Sequence, residues 1–407
     1  MSVDDLDEKL LDPQWYRNDD YLDGFRRLRD EDPVRWMKDP RYGKSFWAIT
    51  RYDDVEELLL NDRDYSNRWD THLPKSPKRL TPEERFSQGF DVLMPFLDNP
   101  THDVYRRPLN RHFSKPAIGK LRELAETTVD GIVEDLANRG QDEIVNGVAL
   151  SVATQVVLNW YGVPHEDWAR VQEGVHTSGR GFAPTTEAAY SGSDHSPLWN
   201  YAQELASERM QNPKDDFLSA LVQTKIDGDP MSLHEATATI FILFEGALGN
   251  TRNAISYGLW LFMTNPDQLA LLREQPDLMN GATDEVLRHA SNSPTRLRIA
   301  NRDMDFGGKE IRTGDWMVGF TKSANFDERR FENPRAFDIT RGESGITFGA
   351  GVHNCLGRHL ARLEMATAFK KIFDRFDLEF GEEPVWGNDS PGANLLARMP
   401  VVFTPRQ

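Results

Sequence analysis

One cysteine occurs in 407 residues, and it sits in the stretch Thr347-Phe348-Gly349-Ala350-Gly351-Val352-His353-Asn354-Cys355-Leu356-Gly357-Arg358. Two glycines precede Cys355 within six residues and a third follows two residues later. Glycine relieves backbone crowding, so this density suits a tight turn pressed against something flat or bulky. Leu360, Leu363, Ala366, Ala368 and Phe369 then give a mixed apolar face at helical spacing, which predicts a helix starting just past the cysteine. At a helix start the dipole and free N–H groups favour a thiolate. A lone thiolate is a poor zinc site, because zinc takes several ligands. It suits a single axial bond to heme iron. A lone cysteine elsewhere reads as a small buried hydrophobe, but the flanking residues here argue for a ligand.

Two further groups carry chemistry. His102 and Arg106 are four apart and share one helical face, where two donors can hold two carboxylates. Alone, a solvated surface pair is the commoner explanation. The run Glu245-Gly246-Ala247-Leu248-Gly249-Asn250-Thr251-Arg252-Asn253 follows a stretch that is apolar on nearly every side. Buried polar groups are unfavourable unless they pair with something. They line either a structural water channel or a reaction site.

Phe-Gly-x-Gly-x-His-x-Cys-x-Gly at 348–357 resembles the heme-binding loop of the cytochromes P450. The resemblance implies heme b (iron protoporphyrin IX), with Cys355 as the iron ligand in a loop framed by Phe348 and Gly349. It implies that His102 and Arg106 meet heme propionates, because the family carries His/Trp-x-x-x-Arg there. Arg298, in Arg298-x-Ala300, and His353 would bind propionates too, with Leu297 facing substrate. Glu285-x-x-Arg288 would tie to Arg335 on a later loop. Thr251-Arg252-Asn253-Ala254-Ile255-Ser256 is similar to the branch that oxidises alkanes, terpenoids and steroid side chains. That branch usually reads acid-Thr-Thr-Arg-Asn. Here Gly249 takes the acid position and Asn250 the first Thr position. Asn250 can still hydrogen-bond through its amide, while protons would travel by Glu245, Thr251 or water. Glu245 alternatively binds a polar substrate group.

The activity so implied is insertion of one oxygen atom from dioxygen into a small, largely apolar organic substrate such as a terpenoid, steroid, alkane or aromatic. Electrons would come from a ferredoxin and an NAD(P)H-dependent ferredoxin reductase. The departure at Gly249-Asn250 leaves peroxide-driven or atypical oxidation as the alternative, and a non-catalytic heme ligand binder behind it. Arg107, Arg111, Lys115, Arg358 and Arg362 form a basic group for an acidic ferredoxin.

These residues need elements to position them. Ser232 and Glu235 form a capping box and Pro266 closes the segment. That leaves about thirty residues, or roughly 45 Å of helix. Strands are predicted at 34–37, 46–50, 295–300 and 316–320, with others at 305–311, 376–380 and 401–403. Leu395-Leu396 reads as a turn toward the pocket. A helix is predicted over 53–60, and mostly helix over 117–225, broken at 179–197. Residues 69–98 form a long loop that in the resembled family covers the substrate. The fold class is mainly α with small β-sheets. It is one cytochrome P450 heme domain over 1–407, with 1–20 an acidic N-terminal segment and a long central helix over the heme.

The formal net charge is −17 and no Lys/Arg-rich tail appears, which argues against a nucleic-acid partner. One cysteine excludes an internal disulfide and suits a reducing cytosol. The acidic N-terminus has no apolar leader, and the run near Ile240 to Phe244 is too short to span a bilayer. A cytoplasmic protein with no membrane contact is expected.

Overall fold

The computed structural model describes residues 3–406 apart from 4, 18–19, 40–42, 74–80, 88, 178–196 and 388–394. The predicted break at 179–197 therefore lies almost wholly outside the described residues. The central helix runs Leu233–Thr264, 32 residues without interruption. Its capping box forms as predicted. The Glu235 N–H donates to Ser232 Oγ and the Ser232 N–H donates to Glu235 Oε2. The N-terminal half packs Ala238, Ile240, Phe241 and Phe244 into one core, with Leu198, Trp199 and Val156. The C-terminal half packs Ile255, Leu259 and Phe262 into another, with Val148, Val286, Phe369 and Phe373. One helix thus joins both cores. Gly258 lets the helix starting at Arg358 come close, since a Cβ there would run into the Phe369 ring.

We label five strands and three helices. The strands are β1 (Val34–Asp39), β2 (Lys44–Ile49), β3 (Tyr65–Ser66), β4 (Thr295–Ala300) and β5 (Trp316–Phe320). They form one sheet in the order β1-β2-β5-β4-β3. Only the β2–β5 pair is parallel. The helices are α1 (Thr101–Asn110), α2 (Met279–Ala290) and α3 (Arg358–Arg375).

The sheet alternation settles one expectation. Leu297 is fully buried with Trp15, Phe25 and Phe320 on the apolar face of the sheet. Side chains one apart in a strand point to opposite faces. Leu297 therefore cannot share the side used by Arg298, and it does not face substrate. Arg296 is the neighbour that shares the side of Arg298.

Three other expectations change. The acidic start of the chain is not merely polar. Helix Leu6–Leu11 and the turn Pro13–Arg17 bury Leu6, Leu10, Trp15 and Tyr16 against the sheet. Leu396 starts a strand, Leu396–Arg398, paired with Val385–Trp386 rather than a turn. Among the described residues a second apolar helical segment, Ile144–Tyr161, is longer than the run near Ile240. It has the length and composition to cross a membrane, with mean hydropathy 1.2, but 61% of it is buried inside the fold.

Candidate heme site

The cysteine loop is closed by its own backbone. The Cys355 N–H donates to Phe348 O at 2.8 Å, and Asn354 Nδ2 donates to Gly349 O at 2.9 Å. Gly351 has φ +66°, and a Cβ there would stand 2.6 Å from Leu59 O. Only glycine fits. Gly349 also has positive φ, yet a Cβ on it would meet nothing within 4 Å, and the same holds at Gly357. The loop is therefore tight behind and open beside the thiol. Arg358 opens α3 and returns Nη1 to Cys355 O at 3.0 Å.

The electrostatics of the thiol are a contest. Burial pushes the Cys355 thiol up, and it outweighs the opposing Gly357 N–H and the guanidiniums of Arg106, Arg296 and Arg358. The helix start alone does not make a thiolate here. A bound cation is what tips such a thiol to its ionised form.

Helix α1 brings His102 and Arg106 to one end of this loop. His102 is buried, and its ring centroid lies 4.2 Å from that of His353. Arg106 Nη2 donates to Asn354 O at 2.5 Å. Arg298 is buried on β4, with Nη1 on Leu297 O at 2.9 Å. His102, Arg298 and Arg106 all bear on His353, and with burial they press its pKa down to about 2. Burial, with Arg106, lowers His102 as well. Both imidazoles are therefore neutral donors. Burial brings Arg298 down to about 9, so it stays charged at neutral pH. Among the described residues neither Arg106 nor Arg298 has a carboxylate ion-pair partner. His102 Nδ1 is buried without a hydrogen bond, and the Asp103 carboxylate stands 3.5 Å off. Two cations and two neutral donors around one loop suit two carboxylates. The residues present thus fit a heme and its propionates.

The central helix supplies the other wall. Glu245 and Thr251 are buried and Asn250 is half-buried. A Cβ on Gly246 would meet nothing within 4 Å, so the helix has open space beside this segment. Asn250 O accepts from Asn292 Nδ2 at 2.8 Å, while Asn250 Oδ1 is buried without a hydrogen bond. Glu245 lies six residues before Thr251, roughly 9 Å along the axis. Thr251 instead lies beside a carboxyl that sequence reasoning missed, Glu364 on α3. Glu364 is buried, and burial pushes its carboxyl far above the usual range despite the Thr251 hydroxyl. Burial therefore favours the protonated form of this carboxyl. One acidic residue on a mixed helix gave no sign of this in the sequence.

Behind the loop, the Glu285–Arg288 pair forms as the resemblance implies. Arg288 Nε and Nη2 donate to the two Glu285 oxygens at 2.8 and 2.7 Å, both residues fully buried. The third member is Arg341, 3.4 Å from Glu285 Oε2, and not Arg335. Arg335 is exposed and pairs with Asp23. The loop folds back after Arg335, anchored by the Asp338 N–H on Glu285 Oε1, and this delivers the later arginine. Burial opposes ionisation of Glu285, yet Arg288 and His289 together hold its pKa down to about 2. Arg362 is likewise drawn inward. It bonds Asp284 and Ser344 and stacks on the Phe348 ring at 4.6 Å.

A half-buried single cysteine whose loop meets a corner able to hold carboxylates is the arrangement of a heme-thiolate protein. The chain belongs to the cytochrome P450 family. The model of that family, described as Cytochrome P450, matches residues 197–401. The chain is 32% identical to the nocardicin C N-oxygenase of Nocardia uniformis subsp. tsuyamanensis, over 87% of each chain. It is 31% identical to a steroid C26-monooxygenase of Rhodococcus jostii (strain RHA1), over 90% of this chain and 78% of that one. Among solved structures it resembles CYP108D1 of Novosphingobium aromaticivorans, with TM-score 0.86 and 25% identity, covering 99% of this chain and 98% of that one. It also resembles P450BioI, solved with an acyl carrier protein bearing hexadec-9Z-enoic acid. There the TM-score is 0.83 and identity 28%, covering 95% and 100% of the two chains. The cofactor is heme b and the enzyme is a cytochrome P450 monooxygenase.

Proposed function

We propose that this enzyme inserts one atom of dioxygen into a largely apolar organic substrate, with electrons from a ferredoxin and its NAD(P)H-dependent reductase in the cytoplasm. The whole chain, 1–407, acts as one heme domain. Cys355 would ligate the heme iron, framed by Phe348 and Gly349. His102, Arg106, Arg298 and His353 hold the propionates. Bound heme supplies the oxygen-activating chemistry. Asn250 and Thr251 stand on the opposite wall, where Thr251 passes protons and the Asn250 amide donates to oxygen. Glu245, one to two turns earlier, lies on the substrate side.

The observation that carries this reading is the meeting of the thiol loop with two guanidiniums that have no carboxylate of their own among the described residues. The reduced protein under carbon monoxide should show the thiolate-shifted Soret band, and Cys355→Ala should lose it. A reduced wild type with an imidazole-type band sinks the reading.

A second reading rests on Gly249 and Asn250, which replace the usual acid and alcohol. Here peroxide drives oxidation without a reductase. Product formed per NADH consumed decides between them. Near-unity coupling supports the first, whereas turnover on peroxide alone with poor coupling supports the second.

A further inference from the structure

Strand β4 carries a second arginine on the face of Arg298. Residues two apart in a strand point the same way, about 6.6 Å apart along the strand. Arg296 therefore stands beside Arg298, with Leu297 on the opposite face. Its Nη1 lies 2.7 Å from His72 Nε2 and 3.3 Å from Thr295 O. A guanidinium only donates, so His72 Nε2 accepts and its proton is on Nδ1, facing Thr71 Oγ1 at 2.8 Å. No carboxylate pairs with Arg296 among the described residues. Burial brings it down to about 10, and it remains a cation at neutral pH.

Charge counting makes this group stand out. Arg106 and Arg298 supply one guanidinium for each of two propionates. Arg296 is a third cation, half-buried and without a carboxylate partner among the described residues, and a partly desolvated charge without an anion is unfavourable. Its place along the strand separates it from the propionate corner. Asn292, four residues earlier, touches Asn250 on the central helix. Arg298, two residues later, bears on His353. Arg296 lies between the polar wall and the propionate corner, and it feels the Cys355 charge. The segment bearing His72 lies along β4, with the Leu297 N–H on Thr71 O at 3.1 Å and the Leu73 N–H on Thr295 Oγ1 at 3.2 Å. That segment belongs to the 69–98 stretch expected to cover substrate.

We propose that Arg296, oriented by His72, binds a carboxylate of the substrate, so that the enzyme takes organic acids with an apolar body. The proposal rests on the heme-thiolate reading above. A bidentate guanidinium–carboxylate pair is strong and geometry-specific.

The test compares matched acids and primary amides by substrate-induced spin-state titration of the heme-loaded protein. The probes are dodecanoate and dodecanamide, 4-phenylbutanoate and 4-phenylbutanamide, and cholate and cholamide. In at least one pair the acid should bind about ten-fold or more tightly than the amide. Arg296→Gln should bring that ratio to within about two-fold, and Arg296→Lys should keep part of it. Heme transfer from Arg296→Gln to apomyoglobin should be no faster than from wild type. No acid preference in any pair overturns the proposal. So does rapid heme loss from Arg296→Gln, which would assign Arg296 to the propionates. In both cases a normal thiolate-shifted Soret band shows that the parent reading stands. Absence of that band sinks both.

Discussion

At the scale of single residues, Gly249 and Asn250 depart from the pattern that the resemblance implies, and Glu364 offers another source of protons. Gly249 cannot supply a proton and Asn250 is a poor relay. The buried Glu364 carboxyl beside Thr251, whose pKa burial raises well above the usual range, is a candidate proton source. Positioned acids of this kind contribute about 10²–10⁴-fold in rate. Glu364→Gln keeps the shape beside Thr251 but loses the acid. We predict that it lowers kcat by about ten-fold or more and raises the solvent isotope effect. Substrate affinity and the carbon-monoxide spectrum should stay as in wild type. A packing role would instead lower heme content and leave the isotope effect unchanged. Glu245→Gln should have the smaller effect on kcat, because it lies roughly 9 Å along the helix from Thr251. An equal or larger fall in kcat would return the proton role to Glu245.

At the scale of elements, the junction behind the heme loop is set by the end of α2. Glu285 is clamped by Arg288, His289 and Arg341, and Arg288 also donates to Asn325 O at 2.7 Å. The Glu285 carboxyl sits near 2, below its unfolded value of about 4.5. Its contribution is therefore complete above about pH 5 and is lost as pH falls from about 4.5 to 2. A shift of this size is worth about 3 kcal/mol. Urea unfolding should find Glu285→Gln less stable by about that amount at pH 7, with the gap narrowing toward pH 3.5. A gap that stays constant with pH would show that ionisation of Glu285 is not what holds the junction. Much of this arrangement was legible in the sequence. Ser232 with Glu235 marked the central helix, alternation marked β4, and Glu-x-x-Arg marked the clamp. The rest depends on tertiary contacts. Arg335 and Arg341 lie on one loop, and only its fold-back chooses between them. The face of Leu297 followed from strand period once Arg298 was placed, yet the family template pointed the other way. Glu364 became visible only when α3 packed against the central helix.

At the scale of the whole molecule, the charge is −17, yet basic residues gather near the cysteine loop. His359 on α3 feels Arg358, Arg362 and Lys115, which places these cations together. Lys115 opens a short helix that packs on α3, and Arg107 and Arg111 are exposed at the end of α1. Arg362 is the member that does not belong on a docking face, since Asp284 and Ser344 hold it inward. Arg358 is engaged with Cys355 O. The exposed set is therefore Arg107, Arg111 and Lys115. The proposed acidic ferredoxin would meet an overall repulsive field at long range and an attractive patch at contact. At physiological salt, charges farther than about 8 Å are screened, so the patch dominates the final approach. The double variant Arg111→Glu with Lys115→Glu should slow electron transfer from an acidic ferredoxin by about ten-fold or more at low salt. Stopped-flow trapping of the reduced heme by carbon monoxide reads this rate directly. The two proteins should converge as salt is raised toward about 1 M, where the screening length falls to about 3 Å. The carbon-monoxide spectrum of the variant should match wild type, because neither side chain touches the thiol loop. An unchanged rate at low salt would move the docking face off this side of the molecule.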